Sequence, residues 1–231
     1  MYADLHIHSC LSPCAENEMS PANIAGMAYL KGQQAIAVTD HNAAFNLPYV
    51  KKACDEYGVA LLPGMELCTR EEVHLLAYFR SVDDALIAGE YFYSALPDVE
   101  NDKSLFGEQL VMDETDEIIA EKDKLLLSAL PLSFLECCNK ISEFGGIFVP
   151  AHINRGGNGL LNCLGLFPET PKLPVVEVSP HLKINQKLLA GRTVLNSSDA
   201  HRLCDMAEKG FELPVDGVSG RRVFDFLRAL F

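Results

Sequence analysis

The chain has 231 residues, of which 48% are hydrophobic, and its formal net charge is −13. The length and composition fit a globular protein of one large or two small domains, and the acidic charge disfavours a dedicated DNA- or RNA-binding protein because it repels polyanions. No apolar run approaches the roughly 18 residues of a membrane span, no signal peptide is apparent, and the eight cysteines form no C-x-x-C pair, so we expect a reduced, cytoplasmic protein without a membrane partner.

The first part of the chain alternates short apolar runs with helical patterns. Helix boundaries are marked by Ser20 and Pro21, an N-cap followed by a first-turn proline, and by Gly32 and Gly58 at helix ends. We predict strands at 3–8, 35–39, 59–63 and 73–79, and helices at about 21–32 and 48–57.

The segment at about 80–132 interrupts this alternation. Here we predict a helix at 81–96 and, at 109–121 (QLVMDETDEIIAE), a β-hairpin with an acidic turn. The apolar residues of the segment are too scattered for an independent core. We therefore interpret it as a helix plus β-hairpin insertion in a single domain that spans residues 1–231.

The alternation resumes at Ser133, which forms a capping box with Glu136 at the start of a helix that ends at Gly145. Further strands are predicted at 147–151, 175–178 and 193–196, and a last helix at about 220–229. Apolar strands separated by helices indicate an α/β fold with a parallel sheet covered on both faces. About seven such strands favour a closed barrel, with an open, doubly wound sheet as the alternative.

Six of the seven histidines lie in or directly after a predicted strand, and three acidic residues accompany them. The set consists of His6, His8, His41, His74, His152, His201, Asp40, Glu66 and Asp199. A polar residue at a strand end explains each histidine alone, and the solvated face of an edge strand explains the alternating HIH. In a (β/α) barrel, however, the C-terminal strand ends converge on one face. Together the residues therefore predict a shared site for zinc, iron or manganese.

Glu66 is our candidate for a carboxylate shared between two ions. It follows Pro63, Gly64 and Met65 at the end of a predicted strand. Two divalent ions that lie close together repel each other, and a shared carboxylate and hydroxide relieve this repulsion.

Segments of the chain resemble the four motifs of the PHP (polymerase and histidinol phosphatase) domain family. They are DLHIHS, TDHN, GMEL with a later VHLLAY, PAHI and SSDAH, and they run from residue 4 to residue 201. The resemblance implies a distorted (β/α)7 barrel with a cluster of two or three divalent metal ions. Members of the family include histidinol phosphate phosphatases, small-nucleotide phosphoesterases and proofreading domains of bacterial DNA polymerases.

The resemblance also implies a ligand set for each ion. The first ion would be held by His6, His8, Glu66 and Asp199, the second by Glu66, His74 and His152, and the third by His41 and His201. The family usually completes the third site with an Asp or His several residues after H-x-H. The corresponding loop here is SCLSPCAEN, in which Cys14, with Glu16 behind it, is the best-placed substitute. A thiolate would favour zinc or iron over manganese; the alternative is that Cys14 only packs in the loop.

Two acids and three basic residues are candidates for supporting roles. Asp4 and Asp40 are interpreted as acceptors that orient imidazoles, with strand-end solvation as an equal alternative for Asp4. Arg155, in HINRGGNG, could bind phosphate bidentately, or it could be an exposed arginine in a turn. His181 and Lys183 could contact substrate, and a surface loop explains them equally well.

The predicted function is that of a metal-dependent hydrolase of phosphate esters, acting on a small-molecule or nucleotide phosphomonoester or phosphodiester. A hydroxide bridging the first two ions would attack phosphorus, with Glu66 and Asp199 holding the ions, and His201 or the third ion would assist the leaving alkoxide. We expect a small anionic phosphate as substrate and nucleic acid not to be a partner. The alternatives are a nuclease or exonuclease and a non-catalytic metal-binding module; the acidic charge disfavours the first and the full ligand set the second.

Overall fold

The computed structural model describes residues 1–209 and 211–231. The strands are β1 (Ala3–Ile7), β2 (Ala35–Val38), β3 (Ala60–Leu61), β4 (Gly64–Cys68), β5 (His74–Tyr78), β6 (Leu110–Met112), β7 (Ile118–Glu121), β8 (Ile147–Pro150), β9 (Val175–Glu177) and β10 (Thr193–Leu195). The α-helices are α1 (Pro21–Leu30), α2 (Leu47–Tyr57), α3 (Val82–Ala95), α4 (Lys103–Phe106), α5 (Phe134–Glu143), α6 (Leu160–Cys163) and α7 (Gly220–Arg228). Short 3-10 helices cover Gln186–Leu189 and Leu203–Asp205.

The helix boundaries follow the predicted capping residues. The side chain of Ser20 accepts a hydrogen bond from the backbone N–H of Asn23 at the start of α1. Ser133 and Glu136 form the capping box of α5. Gly58 ends α2 in the left-handed region, with φ 68°, which glycine adopts without the steric cost of a Cβ atom. Local sequence therefore determines where these helices begin and end.

Two of the sheets are parallel, as predicted. In the first, β2 lies between β1 and β3, with Ala35 opposite both Ala3 and Ala60. In the second, β9 pairs with β10. All residues of β1 and β2 are buried, as expected for parallel strands covered on both faces.

The prediction of one parallel sheet is wrong for β4, β5 and β8, which pair in antiparallel fashion. Only residues 69–73 separate β4 from β5, and a connection this short permits a hairpin, whereas a parallel pair needs a crossover of a dozen residues or more. Glu66 accordingly lies within β4, not after a strand end.

The strands form a mixed α/β fold but do not pair continuously around a closed (β/α)7 barrel. The described strands belong to separate sheets, β1-β2-β3, β4-β5-β8, β9-β10 and β6-β7. Between β3 and β4 lies Pro63, which has no N–H to donate to a ladder, and the chain changes there from pairing with β2 to pairing with β5. Isolated bridges between Ile7 and Ala200 and between His41 and Glu66 join neighbouring sheets at one end.

The segment proposed as an insertion has two unlike parts. Helix α3 contributes Ala85, Ala88 and Phe92 to the main hydrophobic core, whereas β6 and β7 pair with each other. The side chain of Asn46 fastens β6, donating to the carbonyl of Leu110 (3.1 Å) and accepting from the N–H of Met112 (3.1 Å). The single-domain organisation with an insertion stays a prediction.

Among the described residues, no helix combines the length and the apolar character that crossing a membrane requires.

Candidate metal centre

One end of the fold brings together the predicted histidines, Glu66 and Asp199; we call it the site end. Six of these residues lie near or after the C-terminal ends of β1, β2, β8 and β10, namely His6, His8, His41, His152, Asp199 and His201. His74 is the first residue of β5, which runs antiparallel to β4 and β8 and therefore begins at this end. All the residues predicted from the family motifs thus converge on one place.

Glu66 lies at the centre of the cluster and is 1% exposed. Its Oε1 lies 2.9 Å from Nδ1 of His74 and 3.1 Å from Nε2 of His152. Its Oε2 lies 3.3 Å from Nδ1 of His41 and 3.4 Å from Nε2 of His8. Both carboxylate oxygens therefore face imidazole nitrogens, as expected of a carboxylate that could be shared between two ions.

A second group of donors consists of His6, His8 and Asp199. The two Nε2 atoms are 3.2 Å apart, and each lies 3.3 Å from Oδ1 of Asp199. Nε2 of His6 also lies 3.4 Å from Oε1 of Glu66. Ligand atoms bound at about 2.1 Å to one tetrahedral ion lie roughly 3.4 Å apart. The spacing fits a divalent ion held by these residues.

A third group contains the only predicted cysteine ligand. Its members, whose donor atoms all lie within 4.8 Å of one another, are His8, Cys14, His41 and His201. This group is the more open one, since Cys14 is exposed and the side chain of His201 is 27% exposed. Nδ1 of His201 lies 2.8 Å from the carbonyl oxygen of Asp199. The carbonyl accepts a hydrogen bond from a protonated Nδ1, which leaves the lone pair of Nε2 available to bind an ion.

Among the described residues, three ring nitrogens in the cluster lack hydrogen-bond partners, namely Nδ1 of His41, of His74 and of His152. All three are buried, and those of His41 and His74 face Glu66. Buried polar atoms are normally paired, and these two nitrogens instead suit the ligand set of zinc, iron or manganese.

The surrounding charges favour protonation of one pair of histidines. Burial alone would lower the pKa of His6, but the charges of Glu177, Glu66 and Asp199 raise it well above its ordinary value. Burial is likewise outweighed at His8, where hydrogen bonds to Asp199 and Glu66 raise the pKa to about 9. A divalent ion would displace these protons, so metal binding should release protons to solvent.

The pKa values of two histidines in the more open donor group are shifted in the opposite direction. Burial, followed by the charge of His8, lowers the pKa of His41 well below its ordinary value. The same two causes lower the pKa of His201 to about 4. Both imidazoles are therefore neutral near pH 7, which is the form that binds metal ions.

Asp40 holds the loop that follows β1. Its carboxylate accepts hydrogen bonds from the N–H (2.7 Å) and hydroxyl (2.6 Å) of Ser9 and from the hydroxyl of Ser12 (2.7 Å). Oγ of Ser12 lies 3.0 Å from Nδ1 of His8 and accepts from the N–H of His41 (3.2 Å). Asp40 thus acts on the imidazoles through Ser12, a residue that sequence reasoning missed.

Asp4 holds the loop that carries Asp199 and His201. It accepts from the N–H (3.0 Å) and hydroxyl (2.7 Å) of Ser198 and from the N–H of Ala207 (2.9 Å). Asp4 is fully buried, so strand-end solvation is excluded. Asp199 itself has φ 54°, a left-handed conformation that costs a non-glycine residue energy and is found preferentially at functional sites.

Glu177, the last residue of β9, is a second residue that sequence reasoning missed. Its Oε2 lies 2.9 Å from Nδ1 of His6 and accepts from the N–H of His152 at 3.0 Å. The available signal was its position at the end of an apolar strand, VVE, in line with the strand ends that carry the histidines.

The proposed substrate residues lie at the edge of the cluster or outside it. Nη1 of Arg155 lies 2.9 Å from Oδ2 of Asp199, and the Arg155 side chain is 49% exposed. His181 and Lys183 are exposed, and neither belongs to the described donor groups. Lys183 and Arg155 line the same cavity of about 330 Å³, together with Asn154 and Asn162.

The chain matches a known domain family. The PHP domain family matches residues 4–130, which is more than half of the chain. An uncharacterised protein of Methanocaldococcus jannaschii is 35% identical over an alignment of 79 residues, and the match covers 31% of this chain and 46% of that protein. The match therefore spans about half the length of this relative.

Solved structures share the fold at low sequence identity. The lesion-specific endonuclease Q of Pyrococcus furiosus has a TM-score of 0.65 at 18% identity, covering 100% of this chain and 56% of that chain. A Bifidobacterium adolescentis protein named as a metal-dependent phosphoesterase has a TM-score of 0.61 at 18% identity, covering 98% and 95%. An amidohydrolase of Chromobacterium violaceum has a TM-score of 0.59 at 18% identity, covering 100% and 97%.

The expectation that nucleic acid is not a partner is wrong. Endonuclease Q, with the same fold (TM-score 0.65, 17% identity, covering 99% of this chain and 56% of that chain), has been solved with a 27-mer duplex whose abasic lesion lies at the active site. The net charge of −13 could not decide the question. Surface charges are screened within about 10 Å at 0.1 M salt, and bound cations reverse the sign of the field at a metal site.

Proposed function

Because the chain belongs to the PHP domain family, we propose that it is a metal-dependent phosphoesterase whose hydrolytic centre is the cluster around Glu66. The observation that carries this proposal is the buried Glu66 carboxylate with imidazole nitrogens on both of its oxygens. A carboxylate shared in this way suits two adjacent divalent ions, as the hydrolysis of phosphate esters by two-metal sites requires.

The charge at the site end also favours bound cations. Buried carboxylates are contributed by Asp4, Asp40, Glu66 and Glu177, and Asp199 is 22% exposed. Among the described lysines and arginines, Arg155 forms an ion pair with one of these five acids, Asp199. Buried charges are normally paired or bound to metal ions. In the metal-free protein the raised pKa values of His6 and His8 supply part of the opposite charge, and divalent cations would take over this role.

The proposed ligands follow the assignment that the family motifs imply; in the structure, His41 also forms a donor group with Glu66 and His74. His6, His8 and Asp199 with Glu66 would hold one ion, Glu66 with His74 and His152 a second, and Cys14, His41 and His201 a third. When bound, divalent ions of this kind polarise a phosphoryl oxygen and lower the pKa of a bound water.

The remaining residues of the site would bind and orient the substrate. Arg155 is exposed on one side and pairs with Asp199 on the other, so its guanidinium can contact a phosphate that enters beside Asp199. Nδ1 of His201 contacts the carbonyl oxygen of Asp199, which leaves Nε2 available, and the side chain is 27% exposed. Nε2 would either bind the third ion or assist proton transfer to the leaving alkoxide.

A second candidate function is cleavage of DNA. It is favoured by the similarity to endonuclease Q, which covers the whole of this chain. The two candidates differ in substrate and not in the metal centre, so one series of substrates separates them.

The test begins with metal content per chain, measured by elemental mass spectrometry on freshly purified protein. Turnover is then measured with p-nitrophenyl phosphate, bis(p-nitrophenyl) phosphate, a mononucleotide and a duplex with one abasic site. Two or three equivalents of zinc, iron or manganese with turnover of a small ester support the first candidate, and preferential cleavage of the duplex supports the second. Both candidate functions are overturned if the purified protein contains no metal and reconstitution with metal does not restore metal content or turnover.

A further inference from the structure

Glu177 contacts the cluster from behind and contributes to none of its donor groups. It is 2% exposed. A single oxygen, Oε2, accepts from Nδ1 of His6 at 2.9 Å and from the backbone N–H of His152 at 3.0 Å. The other oxygen, Oε1, is buried and has no hydrogen-bond partner among the described residues. Both contacts of this carboxylate are therefore made to proposed metal ligands.

The first contact determines which nitrogen of His6 faces the ion. A carboxylate only accepts hydrogen bonds, so Nδ1 of His6 must carry the proton that it donates to Glu177. In the neutral ring Nε2 then has the free lone pair. Nε2 is the atom that lies 3.3 Å from Oδ1 of Asp199 and 3.4 Å from Oε1 of Glu66.

The second contact holds the backbone of a different ligand. His152 has φ 27°, outside the regions that non-glycine residues favour, and such a conformation persists only where its surroundings hold it. The hydrogen bond from its N–H to Glu177 is one such restraint. It keeps Nε2 of His152 3.1 Å from Oε1 of Glu66.

We propose that Glu177 is the positioning residue that fixes the ring of His6 and the backbone of His152, and so couples the first two metal sites. This inference rests on the proposed function for the identity of the ligands. It goes further in assigning to one carboxylate, which binds no ion itself, the orientation of a ligand from each site. Partners of this kind typically contribute 10–100-fold to metal affinity.

The test compares zinc affinity, measured by competition with a chelator, in the wild type and in Glu177→Ala, Glu177→Gln and Val176→Ala. Glu177→Ala should bind zinc about 10–100-fold more weakly. Glu177→Gln should stay within about 3-fold of wild type, since one amide oxygen can accept both hydrogen bonds and its NH₂ group would replace the unpaired Oε1. Val176→Ala removes a buried side chain from the same strand and controls for loss of packing.

A spectroscopic measurement complements the affinities. In zinc-loaded wild type and Glu177→Gln, the Nδ1 proton of His6 should give a downfield, slowly exchanging NMR signal, and Glu177→Ala should lose it. Unchanged affinity in Glu177→Ala, equal weakening in Val176→Ala, or Glu177→Gln as weak as Glu177→Ala would each overturn the proposal. Wild type that binds zinc but hydrolyses no ester would overturn the proposed phosphoesterase while this comparison still stands. Wild type that binds none of zinc, iron and manganese would overturn both.

Discussion

The two ends of the same strands are built on different principles. At the site end, buried imidazoles and carboxylates are held by hydrogen bonds from neighbouring loops, and Asp199 and His152 have left-handed backbones. At the opposite end, which we call the distal end, α7 packs so closely that a Cβ atom on Gly220 would lie 1.8 Å from the carbonyl oxygen of Leu61. Substitutions at the site end should therefore change metal binding, whereas those at the distal end should change folding.

The largest effect is expected from Glu66→Gln. The amide loses the charge that two ions would share, so metal content should fall and hydrolysis of a phosphate ester should drop at least about 100-fold, because even residues behind a metal ligand contribute 10–100-fold. The metal-free protein should also become less stable, because the Glu66 carboxylate helps to raise the pKa of buried His6 and His8, and its loss leaves these imidazolium groups less well paired. Elemental analysis and thermal unfolding measure both effects. Glu56→Gln, an exposed position on α2, is the control, and full metal content in Glu66→Gln would contradict the bridging role.

Removal of the metal should affect stability as well as activity. A ligand that binds only the folded state at 100 times its dissociation constant adds about 2.7 kcal/mol to the free energy of unfolding. EDTA treatment should therefore lower the unfolding free energy by roughly that amount, and zinc should restore it. Unchanged urea denaturation after verified metal removal would show that the site end does not depend on ions for its stability.

Gly220→Ala should lower the stability of the protein without lowering its metal content. The added methyl group meets backbone atoms of Leu61, and overpacking of this kind typically costs about 1–3 kcal/mol. Metal content per folded chain should stay that of the wild type, because Gly220 is remote from the donor groups. Gly157→Ala, where no atom lies within 4 Å of the new Cβ, is the matched control. Loss of metal together with stability would show that the two ends are coupled.

The sequence predicted most site residues but not the arrangement of the strands around them. Histidines and acids at strand ends are visible in a sequence because the residue types alone indicate metal chemistry. The antiparallel direction of β5 was missed because a buried apolar run looks the same in either direction. Glu177 and Ser12 were missed because their role depends on which imidazole they contact, and only the folded chain brings β9 beside β1.

Cys14→Ser should have a smaller effect that is confined to the open group. A serine hydroxyl is a weaker ligand for zinc than a thiolate, so about one equivalent should be lost while the ions held by Glu66 remain. Zinc per chain before and after dialysis measures this difference, with Cys204→Ser, an exposed cysteine outside the donor groups, as the control. Equal zinc content in the two variants would favour the alternative that Cys14 only packs in its loop.

The smallest effect is expected from Lys51→Ala at the distal end. Lys51 pairs with Asp55 across one turn of α2, and their side chains are 45% and 63% exposed. Exposed pairs of this type contribute roughly 0.3–0.5 kcal/mol, so urea denaturation should barely change and metal content not at all. If the distal end depends on close packing, removing this charge must matter far less than adding one methyl group at Gly220. A loss above about 1 kcal/mol would mean that charge, and not packing alone, stabilises the distal end.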